Sequence, residues 1–509
     1  MPQDGGRRGR PRAWIWRSAG VVALALYVAT AAPGLLWGDS GEAQLHVLLR
    51  GWTVDGEIAR SHVLYYAVAR LIAWLLPFDA ARAANLVAAL FGALTVANAG
   101  WLCATLCRRR TPALCGTLLV MLSHTLWQLS TSAEVMTLTT ALLSAELMAI
   151  IKLVESKRLR WLAAAALLNG LGVSNHNLAL LMWPVYGVVA IRWRAAWRPK
   201  GGRAVALAAG GLALGLLPVL ALCVGDLLAG GSPAATLQSL FIGHYGGKVA
   251  NVSNLVTLLG RTAAMTALNF PTPLFLLAVP GCWVVRRAAP APIGWVLIGT
   301  TIVFTAFAAR YNVPDQHTFL LPSFMMFAVL AAVALDGLPA GRRWSVSVIA
   351  ACALSAMGPV VYAGAPPLLR RLAPHTTRVP TRAVPYRDRF DWFLRPWRCG
   401  YEGAERFARE TLTSLPEGAW LVVDTTLNPP LNYLQAAESL RQDVHLDSWG
   451  ARQEWLQPPG DLTAERAKKL DAGLLFAVSE DPRYLPLWLR AGSHRFERSG
   501  HVFRVVGKE

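Results

Sequence analysis

The stretch LLWGDSGEAQLHVLLRGW (residues 35–52) ends the first apolar run of the chain and places Asp39 and Glu42 at its edge. The chain has 509 residues, of which 54% are hydrophobic. Apolar runs of about 20 residues recur along it, and that length crosses the hydrocarbon core of a bilayer. The sequence therefore predicts a polytopic α-helical membrane protein with two acids where the chain first leaves the membrane.

The formal charge of +19 has two readings. In a soluble protein it would indicate nucleic-acid binding, but here the arginines lie in short bursts between apolar runs, as in cytoplasmic loops. Six of the seven cysteines lie inside apolar runs, and the chain has no CxxC metal pattern. We therefore expect no nucleic-acid partner, no metal and no other cofactor.

Charge placement decides the topology. Arg70 lies in the middle of the short apolar stretch 61–78, and a central arginine costs roughly 2.5–3.5 kcal/mol on insertion. If this stretch does not cross, most Lys and Arg residues fall on the cytoplasmic side, and if it crosses they fall on the opposite side. We therefore predict about eleven spans, a cytoplasmic N-terminus, and 61–78 as an amphipathic helix on the outer surface. The predicted spans begin near residues 14, 83, 112, 135, 161, 177, 204, 268, 293, 318 and 344.

The composition changes near residue 364. A Pro- and Arg-rich segment at 364–384 is typical of a linker. Beyond it, short strand-like runs such as GAWLVVDTT (418–426) alternate with helical ones. We expect a membrane domain over 1–363, a linker over 364–384, and a small α/β extracytoplasmic domain over 385–509. Nucleotide-binding glycine motifs are absent from the sequence.

On this topology, polar side chains from five separate segments fall at the outer membrane face. Such groups at membrane depth are costly and are usually tied to function or to a buried partner. Asp39 and Glu42 are three residues apart and would share one helix face. One of them could act as a base near neutral pH, since a low-dielectric boundary separates their pKa values.

Each of these residues also has a structural interpretation. Asp39 or Ser40 could cap a surface helix with Glu42 in its first turn. Glu134 could be a helix N-terminal carboxylate, and Tyr311 and Asp315 could anchor a helix at the interface. The sequence leaves both interpretations open for each residue, and only their common side favours a site.

The motifs GDSGEAQ (38–44), STSAEVMTLTTALLSAEL (130–147), GLGVSNHNLALLMWP (170–184) and RYNVPDQHTFLLP (310–322) occur in this order. Together they resemble a bacterial membrane family of the protein O-mannosyltransferase type, which belongs with the GT-C glycosyltransferases. The resemblance implies a GT-C-like fold, a polyprenyl-phosphate sugar donor and a catalytic acid in the first extracytoplasmic loop. It thus implies Asp39 as the leading catalytic residue, with Glu42 beside it. The His-Pro-Pro-Gly-Tyr-Pro-like stretch of that family reads SHVLYY (61–66) here.

The predicted function is a glycosyltransferase of the bacterial inner membrane that moves a mannose-type sugar to an acceptor hydroxyl at the extracytoplasmic face. The acceptor is a protein, a glycan or a lipid, Asp39 is the base, and the anomeric carbon is inverted. The residues expected to bind the donor phosphate are Arg60, His62, His176, Lys248 and Arg310. Those expected to line the substrate pocket are Tyr65, Glu134, Asn175, Tyr311 and Asp315.

Two other classes remain open. A polytopic transporter or lipid flippase would carry polar residues at mid-membrane depth and inverted repeats. A non-catalytic assembly or sensor protein would work through its outer C-terminal domain. The polar groups lie mainly at one face and no internal repeat is evident, which favours the enzyme.

Overall fold

The structure is a computed structural model that describes residues 5–53, 57–193, 201–241, 243, 254–339, 342–376, 379, 381–449, 463–491 and 494–507. Helices form the chain up to Leu372, and a small sheet follows with further short helices. The first helices are α1 (Gly5–Thr30), α2 (Gly38–Leu49), α3 (Val63–Leu75), α4 (Ala80–Leu106), α5 (Arg110–Met121), α6 (His124–Ser130), α7 (Met136–Ser156), α8 (Arg160–Asn175) and α9 (Met182–Arg192). A 3₁₀ turn at Asn177–Leu181 leads into α9.

The next helices are α10 (Gly201–Leu228), α11 (Pro233–Phe241), α12 (Leu255–Asn269), α13 (Ala278–Ala288), α14 (Ala291–Arg310), α15 (Gln316–Phe319), α16 (Leu321–Asp336), α17 (Arg342–Ser355) and α18 (Gly358–Leu372). The C-terminal helices are α19 (Arg389–Leu394), α20 (Gly403–Ser414), α21 (Asn428–Glu438), α22 (Ala464–Asp471) and α23 (Leu487–Ala491). The strands are β1 (Trp420–Asp424), β2 (His445–Trp449), β3 (Leu475–Ala477), β4 (His494–Ser499) and β5 (Val502–Gly507).

The described helices confirm a multi-pass membrane protein. Among them, five are long and apolar enough to cross a membrane, and up to eight if each bent pair is one span. The bent pairs are α5 with α6, α12 with the segment through α13, and α17 with α18, at 55°, 114° and 46°. Shorter helices occupy the remaining predicted segments at 160–175, 177–192 and 321–336. Residues 255–267, which precede the span predicted to begin near residue 268, are also helical: the run LVTLLGRTAAMTALN forms α12 before the sharp bend.

The chain leaves and re-enters the helical bundle at the same end. Asn85 in the second turn of α4 donates from Nδ2 to the carbonyl oxygens of Ala32 and Gly34, each at 3.0 Å. α4 also packs along α1, so the end of α1 lies beside the start of α4. α2 and α3 therefore both lie at this end, which we call the α2 end, and α3 does not cross.

The shape of α3 agrees with that placement. Its 13 residues rise about 20 Å as an α-helix, less than the roughly 30 Å of a hydrocarbon core. Tyr65, Tyr66 and Ala69 face the protein, whereas Leu71 and Trp74 are exposed. The exposed apolar face suits a helix that lies against a membrane surface.

The opposite end of the bundle carries cations and their partners. Arg12 in α1 forms an ion pair with Glu155 in α7 at 3.2 Å. Asp336 at the end of α16 accepts hydrogen bonds from the backbone N–H groups of Arg108 and Arg109 at 2.8 and 3.0 Å. We call this the basic end, and α4 and α16, which are buried along most of their length, connect it to the α2 end.

The C-terminal strands form one mixed sheet in the order β2-β1-β3-β5-β4. β1 pairs in parallel with β2 and β3, so Trp420 lies beside His445 and Leu475. β5 pairs antiparallel with β3 and β4. Four of the strands were expected from the sequence, whereas β4, HRFERS, was missed because its side chains are mostly polar and exposed. α18 extends to Leu372, so the first nine residues of the predicted linker are helical.

The C-terminal region is packed onto the α2 end. The backbone N–H of Gly38 donates to the carbonyl of Thr426 at 3.0 Å, and Trp37 Nε1 donates to the hydroxyl of Tyr401 at 2.5 Å. Trp37 and Phe407 belong to one apolar core, with ring centroids 5.3 Å apart. The first loop and the sheet region therefore share a core at the end where the predicted site residues lie.

Candidate active site

The start of α2 is fixed by two buried amides. Gln44 accepts from the backbone N–H of Leu36 at 2.9 Å and donates to Asn85 Oδ1 at 3.0 Å. Asn85 in turn bonds the carbonyls at the end of α1. Gly38 has φ +56°, a left-handed conformation that glycine adopts without a steric penalty. The turn that presents Asp39 is therefore held on both sides.

Asp39 lies in the first turn of α2, and its side chain is accessible. Dense protein on its other sides withholds water and raises the pKa of the Asp39 carboxyl, an effect that the positive charge of Arg60 partly offsets. Among the described residues, none donates a hydrogen bond to this carboxylate. The Asp39 carboxylate is thus accessible to a ligand, while the protein around it excludes much of the water.

Glu42 is held by Arg60. Nη2 of Arg60 lies 3.3 and 3.1 Å from the two carboxylate oxygens of Glu42, and both side chains are about one-quarter exposed, at 29% and 26%. Arg60 also acts electrostatically on Asp39. The pair therefore places one cation beside the accessible carboxylate.

Glu134 joins the site from the loop between α6 and α7. Ser40 Oγ donates to its Oε1 at 2.7 Å. Removal from water is the main cause that raises the pKa of Glu134 to about 8, and the negative charges of Asp39 and Asp315 add to it. Asp39, Glu134 and Asp315, which come from three distant segments, form what we call the acidic group.

His62 and His176 stack on one another. Their ring centroids are 5.5 Å apart and their planes differ by 17°. His62 Nδ1 lies 2.7 Å from the carbonyl oxygen of Asn175, and His176 Nδ1 accepts from the backbone N–H of Leu178 at 3.0 Å. Burial lowers the pKa of His62 to about 4 and that of His176 to about 3.

Two predicted pocket residues have structural partners instead. Tyr65 is fully buried, and its hydroxyl donates to the carbonyl of Ala84 at 2.6 Å. Asn175 is also fully buried and donates from Nδ2 to Thr139 Oγ1 at 2.9 Å. Tyr65 thus ties α3 to α4, and Asn175 ties α8 to α7 while its carbonyl orients His62.

The remaining predicted residues are dispersed. Tyr311 is buried against Phe319, with ring centroids 4.7 Å apart. Arg310 is exposed at the end of α14. Lys248 lies outside the described residues. Of the predicted site, the structure therefore brings together Asp39, Glu42, Arg60, Glu134 and Asp315, with the stacked histidines nearby.

Three residues that were not predicted from the sequence complete this arrangement. Ser40 bonds Glu134, Tyr66 packs its ring 6.2 Å from that of His62, and Phe319 packs 5.8 Å from His176. Ser40 lies inside the DSGE motif and Tyr66 inside SHVLYY, so their motifs were visible but their contacts were not. In the described part of the chain, no group of three or more His, Cys, Asp or Glu side chains is placed to hold a metal ion.

A second polar cluster lies inside the bundle and was also missed. Glu146, midway along α7, is 1% exposed and accepts a hydrogen bond from the Tyr186 hydroxyl in α9. Asn169 in α8 lies beside the same carboxyl; it accepts from Trp183 Nε1 at 2.8 Å and donates from Nδ2 to the carbonyl of Ala179 at 3.2 Å. We call these four residues the Glu146 cluster. A lone glutamate in an apolar run was the available signal.

Comparison with known proteins supports the fold and the resemblance. Residues 62–198 match a family model described as the Protein O-mannosyl-transferase TMEM260 N-terminal domain. These residues include Glu134 and both stacked histidines but not Asp39. Comparison with curated proteins finds no match.

Among solved structures, the chain resembles ArnT from Cupriavidus metallidurans in the apo state. The TM-score is 0.57 at 15% sequence identity, over 98% of this chain and 100% of that chain. The family match over residues 62–198 and the similar fold agree with the resemblance predicted from the sequence.

Proposed function

We propose that this protein is a GT-C glycosyltransferase that moves a mannose-type sugar from a polyprenyl-phosphate donor to an acceptor hydroxyl. The observation that supports it is the accessible carboxylate of Asp39, which lies at one end of a membrane bundle near the Arg60 guanidinium and the Glu134 carboxyl. A carboxylate at this position can contact a substrate that enters from the membrane.

The α2 end faces the extracytoplasmic side of a bacterial inner membrane in this proposal. The Arg108–Arg110 run and the Lys157–Arg160 loop belong to the basic end. Basic loops of this kind remain in the cytoplasm under the positive-inside rule. The acidic group and the C-terminal region would then both lie outside.

In the reaction, the Asp39 carboxylate takes the proton of the acceptor hydroxyl. The hydroxyl oxygen forms a bond to the anomeric carbon as the bond from that carbon to the phosphate oxygen breaks. The polyprenyl phosphate leaves with the bonding electrons, and a single displacement inverts the anomeric carbon. The raised pKa of Asp39 suits this role, because a base is most effective when its pKa approaches the working pH.

Arg60 is the cation that we assign to the leaving phosphate. Glu42 holds it at 3.1 Å, so Glu42 acts as a positioning residue in this scheme. A guanidinium can donate several hydrogen bonds to phosphate oxygens and so stabilise the charge that develops on them. Arg310 and Lys248 remain proposed as further phosphate contacts.

The C-terminal region covers the α2 end through Thr426, Tyr401 and Phe407. We assign to residues 385–509 the binding of the acceptor, be it a protein, a glycan or a lipid. This placement brings an acceptor to the accessible side of Asp39.

The test is transfer of labelled sugar from polyprenyl-phosphate mannose by the purified protein in vesicles. Asp39→Asn should lower the rate of transfer by at least about 100-fold, because the amide cannot accept the proton. Asp79→Asn is the matched control, since Asp79 only caps α4 by accepting from Arg82 N–H at 2.7 Å and asparagine caps equally well. Wild-type transfer by the Asp39→Asn protein would exclude Asp39 as the base.

A further inference from the structure

The stacked histidines His62 and His176, which we call the histidine pair, are anchored on one short segment. Asn175 offers its carbonyl oxygen to His62 Nδ1, and Leu178 offers its N–H to His176 Nδ1. Both rings are thus held by their Nδ1 atoms at the end of α8. Among the described residues, neither Nε2 has a hydrogen-bond partner, and both side chains are only half-buried.

These two hydrogen bonds assign the ring protons. A carbonyl oxygen only accepts, so His62 carries its proton on Nδ1 and keeps a lone pair on Nε2. A backbone N–H only donates, so Nδ1 of His176 carries the lone pair and its Nε2 carries the proton. The pair therefore presents one acceptor and one donor.

The pair is also neutral at ordinary pH. Burial is the main cause that lowers the pKa of His62 to about 4 and that of His176 to about 3, and the charge of Arg60 lowers the former further. Phosphate oxygens accept hydrogen bonds and are stabilised by positive charge. A neutral pair with a lone pair on one side matches them poorly, which argues against the phosphate role expected for these residues from the sequence.

A hydroxyl group fits the histidine pair better. It donates to one nitrogen while it accepts from the other. The hydroxyl groups of a sugar ring can therefore pair with both the accepting Nε2 of His62 and the donating Nε2 of His176.

The histidine pair lies next to the proposed reaction centre. Tyr66 packs its ring 6.2 Å from that of His62, and it interacts electrostatically with Glu42 and Asp39. On the other side, Phe319 packs against His176 at 5.8 Å. A sugar whose anomeric carbon is near Asp39 could thus reach the pair with a hydroxyl of the same ring.

We propose that His62 and His176 together bind a hydroxyl group of the donor's sugar ring and so select the sugar rather than the lipid phosphate. This inference rests on the proposed function, since it assumes a sugar donor at the α2 end. It assigns the pair a part in specificity.

The experiment compares two lipids: polyprenyl-phosphate mannose and bare polyprenyl phosphate. Binding of each to the purified full-length protein in nanodiscs is measured for the wild type, His62→Phe and His176→Phe. Loss of one hydrogen bond should weaken binding of the sugar-bearing lipid on the order of fivefold in each variant. Affinity for the bare lipid should not change, which also shows that the variants are folded.

Two further variants sharpen the result. His62→Gln keeps an accepting oxygen near the position of Nε2, so it should retain part of the preference for the sugar-bearing lipid. His46→Phe is the matched control, because His46 stacks on Tyr66 in the same region, at 5.5 Å between ring centroids, but outside the pair. It should leave the preference at the wild-type value.

Equal loss of affinity for both lipids in the histidine variants would overturn the inference, since the pair would then hold the phosphate. Equal wild-type affinity for both lipids would overturn it too. If the wild type bound neither lipid, the proposed function would fail and this inference with it. Sugar-selective binding together with lost transfer in Asp39→Asn would support both.

Discussion

Two groups of carboxyl side chains lie in the helical region, and their surroundings differ. In the Glu146 cluster, the Tyr186 hydroxyl donates to the carboxyl, and Glu146 is closed from outside. At the α2 end, Asp39 is accessible, while Glu134 and Asp315 act on one another electrostatically. The Glu146 carboxyl is thus hydrogen-bonded inside the protein, whereas the Asp39 carboxylate remains available to a ligand.

This difference separates a structural from a chemical role. A buried polar group whose hydrogen bonds are complete fixes the helices that supply them. Like charges kept near one another in a poorly hydrated place cost free energy and are typical of reaction centres. Glu146 does lie midway along α7, as the transporter alternative requires, but a transport path needs a group open to water or substrate.

The largest expected effect is the difference in transfer rate between substitutions in the two regions. Asp39→Asn should lower the rate of sugar transfer by at least about 100-fold, the lower range for loss of a general base. Glu146→Gln should leave the rate within about twofold, because glutamine keeps the size and an accepting oxygen. Both rates are measured with labelled polyprenyl-phosphate mannose. A large rate loss in Glu146→Gln would show that the Glu146 carboxyl also has a chemical role.

The next largest effect is expected for substitution of Arg60. Arg60→Gln removes the cation beside Asp39 and should lower kcat/KM for the donor about 10- to 100-fold, as expected for a charged hydrogen bond of 1.5–3 kcal/mol. Arg60→Lys should recover part of this loss, since it restores the charge without the fork of donors. Arg82→Gln, an exposed arginine that packs on Phe78, is the control. An unchanged kcat/KM in Arg60→Gln would remove Arg60 from the site.

The Glu146 cluster should show its effect on stability. Glu146→Ala leaves the Tyr186 hydroxyl without its acceptor and should cost about 1–3 kcal/mol of unfolding free energy. The loss appears as a lower Tm in detergent. Glu146→Gln should retain most of the wild-type Tm, and an equal drop in both variants would show that the charge itself is needed.

A further comparison concerns the pH dependence of stability that Glu134 should produce. Its pKa is raised to about 8, against about 4.3 in an unfolded chain. Between these values the folded protein keeps a proton that the unfolded chain has lost, so the unfolding free energy falls as pH rises. Glu134→Gln removes this titration.

The Tm of Glu134→Gln minus that of the wild type should therefore increase from pH 5 to pH 8 and stay constant above it. Glu155→Gln, at the basic end, serves as the control and should show no such trend. A difference independent of pH would mean that Glu134 titrates normally.

Much of the fold was predictable because its signals are local. Apolar runs of sufficient length and bursts of arginine located the helices and left 61–78 outside the bundle. α12 was missed because its polar residues at 261–262 interrupt the run, and β4 was missed because a mostly polar edge strand has no apolar face. The site was predicted by segment, whereas the hydrogen bonds of Tyr65 and Asn175 to neighbouring helices were not.

The sequence by itself determined most of the membrane helices and the common end of Asp39, Glu134 and the two stacked histidines, since hydrophobic length and charge act through nearby residues. Only the tertiary structure decided which of these groups meet. Ser40 and Glu134 are 94 residues apart in the chain, and His62 lies 113 residues from the carbonyl that orients it. Contacts over such separations depend on how helices pack, and they set both the raised pKa of Glu134 and the positions of the imidazole protons.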